Sequence, residues 1–239
     1  VSPSGSVVGF DTATADTAVC ASRDGEVLHE SLRGLSEKGG PLHTIALLAE
    51  VEDAVAAAGG WGAVGALAVG VGPGSFTGLR VGIATARALG LSRELPVAGV
   101  CTLDALGRAL AARDGRAARL AVVDARRGEA FAALYAPGGE RLWGPLVCSP
   151  AALAARLAEL EQPPLAAGSG AIRFRKELAS RGVEVPDDAD PVHRIAARHV
   201  CALAASGLGG EEPGPVAPIY LRPPDAERWR ERDTFQAAG

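Results

Sequence analysis

The segment Gly70-Val71-Gly72-Pro73-Gly74-Ser75-Phe76-Thr77-Gly78-Leu79-Arg80-Val81-Gly82 constrains this chain more than any other. An apolar run over 64–71 leads into it and reads as a buried strand, and the stretch over 79–91 that follows reads as a helix. A Gly-rich turn from strand to helix converges backbone N–H groups on a helix N-terminus, a geometry suited to phosphate or to close approach of another backbone. The familiar nucleotide motifs do not fit. A P-loop needs Lys and then Ser or Thr after its last Gly, whereas Leu79-Arg80 follows Gly78. A dinucleotide fingerprint needs Gly at its sixth position, which counted from Gly70 is Ser75. A serine-hydrolase elbow also fails, because Phe76-Thr77 separate Ser75 from Gly78. Ser75 is expected to cap the second helix or to fix the loop.

Hydrophobic periodicity divides the 239 residues into two halves of like pattern. Strands are expected over 7–11, 17–22 and 26–32, with Arg23-Asp24-Gly25 as a hairpin turn. A helix over 42–58 places Ile45, Leu48, Val51 and Val55 at three- and four-residue spacing, and Gly59-Gly60 ends it. A short strand over 96–100 and a helix over 102–112, begun by Thr102, close the first half. After the polar break Arg113-Asp114-Gly115-Arg116 the pattern restarts, with strands over 119–124, 129–135, 140–148 and 165–167. Helices are expected over 150–161, 171–181 and 191–206. A Gly- and Pro-rich linker over 207–218 leads to an anchored Ile219-Tyr220-Leu221 and a frayed, charged end. The pattern implies an α/β duplication with mixed sheets covered by helices: domains over 1–112 and 113–222 and a flexible tail over 223–239.

Composition narrows the function classes. With 48% hydrophobic and 22% charged residues the chain can build a core, and no apolar run reaches the roughly 18 residues of a membrane span. Val1-Ser2-Pro3-Ser4-Gly5 has no basic flank of a secretory signal, so cytoplasm is the expectation. Cys20, Cys101, Cys148 and Cys201 form no CxxC pair and read as small buried hydrophobes. A net charge of −4 offers no surplus for gripping nucleic acid unaided. A helical metal pair wants His at i and i+4. His193 and His199 are six residues apart, about 240° around a helix, and His43 has no partner, so no metal is expected.

The uninterrupted Gly72–Gly82 stretch resembles the signature of the TsaB (YeaZ) family, of the actin–sugar-kinase–chaperone superfold. Phe10-Asp11-Thr12, Asp124-Ala125-Arg126-Arg127-Gly128-Glu129 and Tyr220-Leu221-Arg222 extend the resemblance in the family's order, strongly to Glu129 and loosely beyond. It implies two actin-like domains facing each other across a cleft. In the superfold an acid and hydroxyls at the place of Asp11, Thr12 and Thr14 handle phosphate or its metal. Asp124 would be their pseudo-symmetric counterpart, and Gly168, Ser169 and Gly170 lie where relatives set glycines against adenosine. The alternative is that acids and small residues at strand ends simply make turns. No cofactor is expected beyond weak nucleotide binding at such a vestigial site.

Catalytic relatives of the TsaD type carry an HxxxH metal pair where this chain has His43-Thr44-Ile45-Ala46-Leu47, so the resemblance implies a non-catalytic subunit. It would activate a TsaD-type partner, joined by a TsaE-type ATPase and meeting tRNA only within the complex. That complex transfers a threonylcarbamoyl group from threonylcarbamoyl-AMP to the N6 amine of the adenosine beside the anticodon of tRNAs reading ANN codons. The second helix offers a bare stripe, Gly78, Gly82, Ala86 and Gly90, which suits close approach of the chain's own sheet or of a partner helix. The resemblance assigns the first two helices to homodimerisation and to pairing with TsaD, which makes Leu42, His43, Ile45, Ala46, Gly78, Leu79, Gly82, Ile83, Ala86 and Gly90 the expected interface. The rival readings are a stand-alone small-molecule kinase or ATPase, resting on Asp11, Asp124 and Gly168 to Gly170, and a metallopeptidase that lacks its ligands.

Overall fold

The computed structural model describes residues 5–35, 40–113, 118–208 and 216–222. Most of the polar break, 209–215 of the linker and the tail expected over 223–239 lie outside them.

Two sheets carry the fold. The first contains β1 (Ser6–Asp11), β2 (Thr17–Arg23), β3 (Glu26–Arg33), β4 (Val64–Gly72) and β5 (Val97–Cys101) in the order β3-β2-β1-β4-β5. The second contains β6 (Arg119–Asp124), β7 (Ala130–Tyr135), β8 (Arg141–Cys148) and β9 (Leu165–Ala167) in the order β8-β7-β6-β9. Each sheet opens with an antiparallel meander and adds its next strand parallel to the first, β4 to β1 and β9 to β6. The four strands β1 to β4 thus recur as β6 to β9, β5 having no counterpart in the second sheet, and Asp11 and Asp124 end equivalent strands.

Helices α1 (His43–Ala57) and α2 (Phe76–Arg93) cover the outer face of the first sheet, where Leu47, Val51, Val55, Leu79 and Ile83 meet Val8, Phe10, Val19, Leu67 and Val69. On the second sheet α4 (Pro150–Leu157), α5 (Ser169–Arg173) and α6 (Arg175–Ala179) do the same, with Leu153, Leu157, Phe174 and Leu178 packed on Leu120 and Leu134. Between the sheets lie α3 (Thr102–Arg113) and α7 (Ala197–Leu208), in one shared core. The halves exchange cover here. From the first half, α3 packs on β6 and β7, while α7 from the second half packs on β1 and β2. Strands buried on both faces need no polar alternation, which is why β1, β4 and β6 read as continuous apolar runs.

Four expected helices differ in extent, and the one expected over 150–161 ends at Leu157. The second begins earlier, at Phe76, because Ser75 caps it by accepting from Gly78 N–H at 3.3 Å. The stretch over 171–181 is two short helices broken at Phe174 (φ −107°, ψ 26°). Residues 191–206 divide into a 3-10 turn, Pro191–His193, and α7, so His193 and His199 stand on different elements.

Candidate functional site

Asp11 ends β1 fully enclosed, and both of its oxygens are engaged inside the chain. Oδ1 accepts from Ala13 N–H at 2.7 Å and Oδ2 from the Thr102 hydroxyl at 2.8 Å. Burial, the largest influence, pushes its carboxyl above the usual range, against those two hydrogen bonds. Thr12 is equally enclosed and donates its hydroxyl to Gly78 O at 2.8 Å. The Gly-rich loop lies directly on this turn, with Ser75 N–H donating to Ala13 O at 2.7 Å. A Cβ on Gly74 would overlap that same carbonyl, and one on Gly70 would overlap the Asp11 carboxyl. The loop's glycines thus admit the chain's own backbone at Ala13 and the Asp11 carboxyl. This corrects the reading of Asp11 and Thr12 as cleft residues: they tie β1 to α2 and α3. Thr14 is half-buried; its hydroxyl accepts from Asp16 N–H at 3.4 Å, and its carbonyl meets His43.

The second half repeats the arrangement in more open form. Asp124 accepts from Arg126 N–H at 2.9 Å and pairs with Arg173 at 2.9 Å, while Ser169 Oγ accepts from Asp124 N–H at 3.1 Å. Gly168, at φ +112°, and Gly170 press α5 against β6, since Cβ atoms there would strike Val122. These glycines, expected against an adenosine, make close helix–strand contact. Among the described residues no hydrogen bond or ion pair joins the Asp11 group to the Asp124 group.

His43 is also a packing residue. Its Nε2 meets Thr14 O at 3.1 Å and its Nδ1 meets the Thr17 hydroxyl at 2.8 Å. A carbonyl only accepts, so Nε2 carries the proton and Nδ1 accepts from Thr17. Burial lowers its pKa and keeps it neutral, despite the Thr14 carbonyl and Asp16. In the other half His193 Nδ1 accepts from Gly168 N–H at 3.1 Å and Nε2 donates to Pro186 O at 3.1 Å. Neither ring has a lone pair free for a metal.

The expected interface also needs correction. Gly78, Leu79, Gly82, Ile83, Ala86 and Gly90 are the buried residues of α2, facing the chain's own sheet. A Cβ on Gly82 would overlap the Thr12 hydroxyl, and one on Gly90 would overlap Val97. What the helix pair offers outward is different: Ile45 is 79% exposed, Leu48 59% and Leu91 85%, with Leu42 and Ala46 half-buried at the edge. Ile45 alone of the expected set stands fully in solvent, and the expectation lacked Leu48 and Leu91. The segment 216–222, from the far end of the sequence, lies against this same helix: Ile219 N–H donates to Val71 O at 2.8 Å, and the Phe76 and Tyr220 rings sit 5.3 Å apart. Arg222 then ties it to the second half through Glu129, at 2.7 Å, and the Ala125 carbonyl. No described helix is long and apolar enough to cross a membrane.

The family model of TsaD, described as tRNA N6-adenosine threonylcarbamoyltransferase, matches residues 36–187. A protein of Mycobacterium tuberculosis without an assigned function is 37% identical over 162 residues, 68% of this chain and 66% of its own length. The tRNA threonylcarbamoyladenosine biosynthesis protein TsaB of Escherichia coli is 37% identical over 139 residues, 57% of this chain and 58% of that protein. The alignments thus span somewhat under two thirds of these relatives. The solved structure of YeaZ from Pseudomonas aeruginosa superposes with a TM-score of 0.73 at 25% identity, over 91% of this chain and 100% of that one. With the Gly72–Gly82 signature in place on the strand-to-helix turn of a duplicated two-sheet fold, the chain belongs to the TsaB (YeaZ) family.

Proposed function

We propose that the chain acts in threonylcarbamoyladenosine formation on tRNA as a non-catalytic subunit, pairing with a TsaD-type chain that carries the chemistry. The carrying observation is the enclosure of Asp11, whose two oxygens accept from Ala13 N–H and the Thr102 hydroxyl inside the chain. An acid this enclosed is turned away from solvent and any ligand in it, and this weighs against the kinase or ATPase reading. The TsaB name of the curated relatives gives the pathway. The exposed aliphatic side chains of α1 and α2 give a docking face for the TsaD-type chain, or for a second copy in its absence. A TsaE-type ATPase and tRNA would join only through that assembly, with the modified adenosine beside the anticodon of tRNAs reading ANN codons.

Reconstitution tests this. The purified chain, a TsaD-type homologue of the same organism, a TsaE-type protein and threonylcarbamoyl-AMP are combined with an ANN-reading tRNA. Transfer is expected only when this chain and the TsaD-type chain are both present. Transfer by this chain alone, or undiminished transfer without it, overturns the proposal.

A further inference from the structure

A cavity lies far from the Gly-rich loop, at the opposite end of the β1 and β2 strands. Its volume is about 620 Å³, within the range of small-molecule sites. The β2–β3 hairpin forms one wall, with Asp24 and Val27; α3 and α7 form the other. Arg198, Ala202 and Ala205 recur at four- and three-residue spacing, so one face of α7 lines it, and Arg108 and Ala111 do likewise from α3.

Its polar groups are unevenly used. Arg198 is paired with Glu30. The Arg108 guanidinium makes no hydrogen bond or ion pair among the described residues, and neither does the carboxylate of Asp24. His199 is 9% exposed, and no partner among the described residues meets either ring nitrogen. Burial first, then Arg198 and Arg108, push its pKa down to about 4, with Glu30 pulling the other way. Arg108 and Arg198 thus line one cavity with a buried imidazole that has no partner among the described residues, beside an apolar floor of Val7, Val27, Ala202 and Ala205. Unpaired donors in such a place are groups that a ligand acceptor would satisfy.

We propose that this cavity is a binding site for a small monocarboxylate with an aliphatic body. The carboxylate lies against Arg108, with Arg198 and His199 completing its shell, and the hydrocarbon part covers the alanine and valine floor. Asp24 on the facing hairpin repels a second negative charge and so selects a monoanion over a dianion. The site is remote from the α1–α2 face and functions whether or not that face assembles.

The test is a titration of the full chain at neutral pH, followed by the imidazole resonances of its four histidines. The probes are hexanoate, hexanamide and inorganic phosphate. Hexanoate is expected to shift the His199 signal saturably while leaving His43 and His193 in place. Arg108→Gln, at an exposed side chain without a partner, is expected to weaken that binding about tenfold, the scale of one charge-assisted hydrogen bond. Asp24→Asn is expected to retain or tighten it. An unmoved His199 signal, equal response to hexanamide, response to phosphate alone, or unchanged affinity in Arg108→Gln each overturns the proposal. Thermal melts of both variants report their fold, and should Arg108→Gln melt early, Arg108→Lys supplies the same comparison.

Discussion

Thr102 donates its hydroxyl to Asp11 Oδ2 at 2.8 Å across 91 residues of sequence, so the helix that crosses to the second sheet begins on the carboxyl that ends the first strand. The bond fixes the start of α3 on the end of β1, within the first half, and so sets the course of the helix that packs on the second sheet. It also makes Asp11 replaceable by its amide, because Asn supplies an acceptor for Ala13 N–H and a donor for the Thr102 oxygen.

Asp11→Asn is therefore expected to fold with stability equal to or above the parent at neutral pH. Burial raises the Asp11 pKa above 3.8, so the folded state holds its proton longer than the unfolded one. The parent's contribution from this group is complete below 3.8 and is lost as pH rises through the folded value. Urea unfolding of both chains at several pH values checks this. A large loss of stability in Asp11→Asn at neutral pH would count against the structural role.

Ala86 has no exposure, and a Cβ on Gly82 would overlap the Thr12 hydroxyl. Ala86→Leu and Gly82→Ala are expected to destabilise the isolated chain by about 1–3 kcal/mol, the scale of overpacking. Denaturant midpoints report it, and stability unchanged in both variants would return the stripe to the surface.

Ile45→Glu combined with Leu48→Glu is expected to leave the melting temperature nearly unchanged, since both side chains stand in solvent. The same pair should abolish co-elution with a TsaD-type chain and any self-association. Light scattering and pull-down measure this; assembly that survives in the folded variant removes the face.

His43→Phe strands the buried Thr17 hydroxyl and is expected to cost about 1–3 kcal/mol near pH 7.5. Because burial lowers the His43 pKa, its contribution is present above 6.5 and is lost as pH falls below that value. The gap between parent and variant should therefore narrow toward pH 5 in parallel urea titrations. A gap that widens instead would show that the ring is charged in the fold.

The element order was legible because the strands are apolar runs and the helices carry three- and four-residue periodicity, and Ser75 announced its cap by position. The orientation of the α2 stripe was not. Small residues at four-residue spacing specify a face but not the side toward which it looks. The deciding signal was nevertheless in the chain: Leu79 and Ile83 share the face with Gly82 and Ala86, and large aliphatics beside bare backbone mark an inward side. The acid at position 11 was equally readable as catalytic or structural. Only the partner far along the sequence, Thr102, distinguishes the two, and no local pattern encodes a contact across 91 residues.

The exchange of α3 and α7 between the sheets has a consequence for the order of synthesis. The first sheet is complete once Cys101 has left the ribosome, and α3 can reach β4 and β5 soon after, yet among the described residues the inner face of β1 and β2 is covered chiefly by Ala197–Leu208. For the interval in which the second half is made, Val7, Ala18 and Cys20 of β1 and β2 await the helix that caps them. Nascent chains in that interval are the ones a holdase would bind, and the ones prone to stick to each other when translation outruns chaperone supply.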